Sequence, residues 1–142
     1  MKTFLFPLIA AIAALVSLPT TARAEAPAET TSQVWAHHLK AWSSHDLDAI
    51  LEDYRDDATV VTVDRVYRGK TEIRGLFAKL FALFESAEEQ GMSPAIVEGQ
   101  IVYITWHVKV NHVEHPVGTD TFVVQEGKIA YQTITSDKTL LE

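Results

Sequence analysis

Residues 100–111 constrain the fold more than any other part of the chain. Val102, Ile104, Trp106, Val108 and Val110 alternate with Ile101, Tyr103, Thr105, His107 and Lys109. Large apolar side chains at every second position make a continuous stripe only on an extended backbone, where successive residues point to opposite faces. The segment is therefore expected as a long strand with one buried face. Such a strand needs neighbours to pair its N–H and C=O groups. Residues 117–125 return after a turn at Glu114-His115-Pro116, and Glu126-Gly127 is a hairpin signal leading to a last strand over residues 128–135. Residues 95–98 supply a short strand, with Gly99 as a turn or bulge.

The preceding half of the chain has a helical period. Trp35, His38, Leu39 and Trp42 recur at i, i+3, i+4 and i+7, which predicts a helix over about residues 32–44. Asp46 is a suitable N-cap for a second helix, whose stripe is Leu47, Ile50, Leu51 and Tyr54. Residues 59–65 are β-branched and read as a strand, and residues 66–69 as a turn. Gly69 and Glu72 stand at the N-cap and N3 positions of a third helix. Its wide apolar face of Ile73, Leu76, Phe77, Leu80, Phe81 and Phe84 suits it to cover a sheet. Gly91 and Pro94 separate it from the strands. The order α-α-β-α-β-β-β-β, with helices gathered ahead of the strands, defines an α+β domain over residues 32–138.

The N-terminus carries a different signal. Lys2 precedes an uncharged run over residues 3–18, followed by Pro19 and a small-residue stretch ending Ala22-Arg23-Ala24. This is the layout of a secretory signal peptide over residues 1–24, cleaved before Glu25, with residues 25–31 as a disordered leader. The run of 16 residues, interrupted by Pro7, falls short of the roughly 20 needed to span a bilayer. The expected location is periplasmic or secreted. The absence of cysteine excludes both disulfides and a lipid-carrying cysteine anchor. The chain has net charge −7; without Lys2 and Arg23, ten basic side chains face 19 acidic ones, a net −9. Such a surface repels phosphate backbones and anionic lipid, so neither nucleic acid nor membrane is an expected partner.

Three blocks resemble the nuclear transport factor 2-like (SnoaL-like) superfamily. The first is residues 46–51 with Tyr54 and residues 56–60; the second is residues 67–74; the third is Asp120-Thr121-Phe122 with Gly127-Lys128-Ile129. The resemblance spans nearly the whole domain. It implies a curved antiparallel sheet wrapped around the helices as a cone, with an apolar pocket at the mouth. It does not imply one reaction, because the superfamily includes isomerases, dehydratases, cyclases and binding proteins. By this resemblance His38 stands where the steroid-isomerase branch has its oxyanion-donating tyrosine. Thr62 stands where that branch has its base carboxylate. A threonine hydroxyl cannot take a carbon-bound proton near neutral pH, so the steroid-isomerase constellation is broken.

The residues then divide by chemistry. His38 lies on the buried stripe of the first helix, and Asp120 shares strand parity with Phe122 and Val124. Together they make an acid/base or ligand-orienting pair, as against a core histidine and a structural hydrogen bond near the rim; Asp64, two residues beyond Thr62, is a displaced carboxylate or, at the strand end, a solvated turn-stabilising acid. Trp42, Tyr54, Trp106 and Tyr131 pair apolar area with a polar tip and are candidates to line the pocket, as against filling the core. The six histidines show no metal-ligand spacing, and no dinucleotide, P-loop or G-x-S-x-G pattern occurs, so neither a metal nor a cofactor is expected. The expected partner is a small apolar molecule of unknown identity, with a homodimer formed through the sheet. The alternative is a cofactor-free lyase, isomerase or cyclase using His38 with Asp120 or Asp64.

Overall fold

The computed structural model describes residues 29–136. The expected signal peptide lies outside the described residues, as does most of the expected leader. Three helices, α1 (Thr31–Ser43), α2 (Leu47–Glu52) and α3 (Gly69–Glu85), accompany seven strands. The strands are β1 (Tyr54–Val61), β2 (Val66–Arg68), β3 (Glu89–Met92), β4 (Ile96–Glu98), β5 (Ile101–Val110), β6 (Val113–Gln125) and β7 (Lys128–Ser136). They form one sheet in the order β2-β1-β7-β6-β5-β3, with β4 also on β5. No helix of the described residues is long and apolar enough to cross a membrane.

Local chemistry sets the helix ends. Thr30 Oγ1 accepts from the Gln33 backbone N–H while the Gln33 side chain accepts from that of Thr30, a reciprocal cap that starts α1. Thr30 and Thr31, expected in the leader, therefore belong to this helix end. Asp46 caps α2 through Ala49. At α3 the cap residue is Arg68, whose N–H donates to Glu72 at 2.8 Å, while Gly69 takes φ +71° beside the Asp56 carbonyl. A side chain there would be strained twice, by the dihedral and by the contact.

The sheet is mixed rather than wholly antiparallel, because β1 pairs with β7 in parallel. The chain reaches that position by passing through β2 and α3 first. Two short strands, β2 and β3, add to the expected order. β3 is polar and glycine-containing; it is an edge strand held by backbone pairing to Trp106–Lys109, which no hydrophobic period announces. The β5–β6 turn falls at Asn111-His112, both at positive φ, and not at residues 114–116. Pro116 instead sits at the irregularity opposite His107, where the ladder lacks a bond that proline could not donate. Further register shifts occur within β1–β7 and between Val123 and Val124 on β6–β7. Bulges bend a sheet and raise its twist. The concave face so made receives the buried α3 stripe of Ile73, Leu76, Phe77, Leu80, Phe81 and Phe84, as its period requires.

Candidate functional site

A cavity of about 260 Å³ lies between α1, α3 and the concave sheet. From α1 it takes Trp35, His38, Leu39 and Trp42; from α3, Phe77, Leu80 and Phe84; from the sheet, Ile104, Trp106, Asp120, Phe122, Gln132 and Ile134. The helical and strand periods explain the selection. The α1 stripe turns its four-residue face onto the sheet, and the even-numbered positions of β5, and of β6 from Gly118 onward, point inward.

Trp106 reaches its place because residue 118, directly across the ladder, is glycine. A Cβ at Gly118 would lie 2.2 Å from the Trp106 indole, so the ring occupies space that any other residue would fill. From there Trp106 Nε1 donates to Asp120 Oδ1 at 2.8 Å. Gln132 Nε2 donates to Asp120 Oδ2 at 2.9 Å, and the Tyr54 hydroxyl donates to Gln132 Oε1. Asp120 is thus a buried carboxyl at the end of a fully paired polar chain. Burial pushes its pKa up to about 6, partly opposed by the bonds from Trp106 and Gln132. Burial likewise raises the Tyr54 phenol well above its usual value, reinforced by the negative charges of Asp120 and Asp53.

His38 is held separately. Its Nδ1 lies 3.1 Å from Asp53 Oδ2, and His37 Nδ1 lies 2.6 Å from Asp53 Oδ1. An ionised carboxylate can only accept, so each imidazole carries its hydrogen on Nδ1 toward Asp53. In the neutral imidazole this leaves Nε2 as the acceptor nitrogen of His38, and no hydrogen bond to it occurs among the described residues. The ring also packs against Phe122, Tyr54 and Phe77 at centroid distances of 5.2, 5.7 and 6.0 Å. An acid that fixes one imidazole nitrogen and frees the other is the arrangement general-base chemistry uses.

The candidates from sequence are placed as follows. His38, Asp120, Trp42 and Trp106 all line the cavity, but His38 and Asp120 are not hydrogen-bonded to each other; each has its own partners. Tyr54 lies beneath the floor, fully buried, as the first residue of β1 and not on α2. Asp64 does not belong to the cavity. It is exposed in the β1–β2 turn, where it accepts from Thr62 Oγ1 at 2.7 Å, a turn-stabilising role. Tyr131 is 55% exposed on the outer face, because the extra residue between Val124's and Val123's partners puts Ile129 and Ala130 both inside and turns Tyr131 out. The reading from sequence missed Asp53, Gln132 and Trp35. Gln132 had a signal, a polar residue sharing parity with Ala130 and Ile134. Asp53 had none, since it follows the end of a short helix and meets His38 only through the fold. Among the described residues no group of three histidines or carboxylates is arranged to hold a metal ion.

A family model described as SnoaL-like domain matches residues 35–132. No curated protein matches the chain. Among solved structures, a nuclear transport factor 2-like protein of unknown function from Cytophaga hutchinsonii superposes with a TM-score of 0.60 at 13% identity, covering 76% of this chain and 90% of that one. A candidate polyketide cyclase from Sinorhizobium meliloti gives 0.59 at 21% identity, covering 72% and 93%. SalBIII, an epoxide hydrolase/cyclase-like enzyme with a role in pyran ring formation in the polyether salinomycin, gives 0.59 at 20%, covering 75% and 89%. At these identities the likeness is one of fold.

Proposed function

The chain belongs to the SnoaL-like domain family, and from that premise we propose that it binds a small, largely apolar molecule in the cavity between α1, α3 and the sheet. One observation carries the reading. The wall is aromatic and aliphatic almost throughout, and its few polar groups, notably Asp120 and His38, are individually held in place by hydrogen bonds. A cavity with much apolar area and few fixed polar groups gains affinity from burial and orientation from the polar contacts. Thermal-shift measurement against a library of small aromatic and alicyclic compounds tests it. Saturable stabilisation by some members is expected; a flat response across the library rejects the reading.

Two specific observations favour a second reading, a cofactor-free lyase, isomerase or cyclase. Asp53 fixes the His38 tautomer that exposes Nε2, and Asp120 is an acid tuned toward neutral pH. Once a substrate is in hand, His38→Ala and Asp120→Asn are expected to lower kcat by about a hundredfold or more with modest change in binding. Undiminished turnover in both variants removes this reading.

We also propose that residues 1–24 direct export and are removed. N-terminal sequencing of the protein from its native compartment is expected to begin at Glu25. Assembly as a homodimer through the outer sheet face completes the proposal.

A further inference from the structure

All three tryptophans of the chain, Trp35, Trp42 and Trp106, line the same cavity. Phe84 bridges Trp42 and Trp106, and Phe122 packs against Trp35. Trp42 and Phe84 are 5.1 Å apart between centroids, Phe84 and Trp106 6.0 Å, and Trp35 and Phe122 5.5 Å. Set into this wall is the buried carboxyl of Asp120. Its partners, the Trp106 indole and the Gln132 amide, are neutral donors, and among the described residues it takes part in no ion pair. Neither lysine nor arginine is among the residues lining the cavity.

A carboxylate taken out of water without a counter-charge is costly, and a positive charge brought beside it recovers part of that cost. Indole and phenyl faces attract cations through their quadrupoles, most strongly where water is excluded. The two neutral hydrogen bonds leave further acceptor sites on the Asp120 oxygens. The net charge of −7 biases the surrounding potential in the same direction. We propose that the molecule bound here is an organic cation, an aromatic or alicyclic amine whose ammonium group sits at Asp120 and whose hydrocarbon body lies among the tryptophans. The inference rests on the binding reading above and narrows it. An anionic ligand would meet Asp120 without any lining lysine or arginine to offset it. A neutral alcohol donates one hydrogen bond to Asp120 but leaves its charge uncompensated.

Tryptophan fluorescence reports on this site directly, since every indole of the chain borders it. The protein is titrated near pH 7.5 with three compounds of matched shape: 2-phenylethylamine, which is then protonated, 2-phenylethanol and phenylacetate. The amine is expected to bind about tenfold more tightly than the alcohol, roughly 1.4 kcal/mol, with phenylacetate weakest. Asp120→Asn is expected to erase the preference for the amine. If the alcohol binds as tightly as the amine, the cation proposal fails and the binding reading stands. A preference that survives in a folded Asp120→Asn protein also overturns it. If none of the three compounds changes the fluorescence, the cation proposal falls, and the pocket-binding reading is decided by the library screen above. The comparison within the unaltered protein decides the matter even where the variant does not fold.

Discussion

At Asp120 the cost of burial takes a measurable form. Its carboxyl is raised from 3.8 to about 6 by desolvation, so the folded protein holds this proton more tightly than the unfolded chain does. The stability it contributes is fully present below the unfolded value and is lost as the pH rises through about 6. The interval corresponds to on the order of 3 kcal/mol. Urea unfolding at pH 4, 5, 6 and 7 is expected to show a wild-type stability that declines over this window by an amount absent from Asp120→Asn. A difference between the two proteins that does not vary with pH would show that Asp120 titrates as an ordinary surface acid. Gln132 belongs to the same balance, because it is the shared partner of Tyr54 and Asp120. His38 and Asp53 form a second balance, in which the histidine was evident from the α1 stripe and the acid was not.

Among the elements, β5 and β6 carry the most consequence for the site. Their ladder sets Trp106 across from Gly118, two residues before Asp120 on the same face. The indole fills the glycine's missing side-chain space and from there donates to the carboxyl. Gly118→Ala is therefore expected to push the ring aside, break that bond and cost roughly 1–3 kcal/mol by overpacking. Its signature is a shift in tryptophan emission together with a lowered midpoint of thermal unfolding. An unchanged emission spectrum would mean that the ring tolerates the added methyl without leaving Asp120. The alternation of β5 was plain in the sequence, and so was the inward parity of Asp120. The glycine opposite Trp106 was not, since pairing register depends on where the turn falls, and that turn is at Asn111-His112.

For the whole molecule, the outer face of the sheet is the surface that bears on assembly. Ile101, Val123 and Tyr131 stand in one cross-strand row there, with Ile96 nearby on β4, and Ile96, Ile101 and Tyr131 are 65%, 46% and 55% exposed. Exposed apolar rows of this kind are commonly covered by a partner. Sedimentation equilibrium is expected to show a dimer, and Tyr131→Lys a monomer that keeps its fold. A monomeric unaltered protein rules out the sheet-to-sheet assembly.

By itself the sequence determined the fold class, the three helices, and the apolar stripes of α1, α3 and β5 on which His38, Trp42 and Trp106 stand. These follow from periodicity, which is a property of neighbours along the chain. Only the tertiary structure decided that β1 joins β7 in parallel, that Tyr131 faces out, and that Asp53 orients His38. Each of these depends on a register shift or a contact between residues distant in sequence, and no local period encodes either.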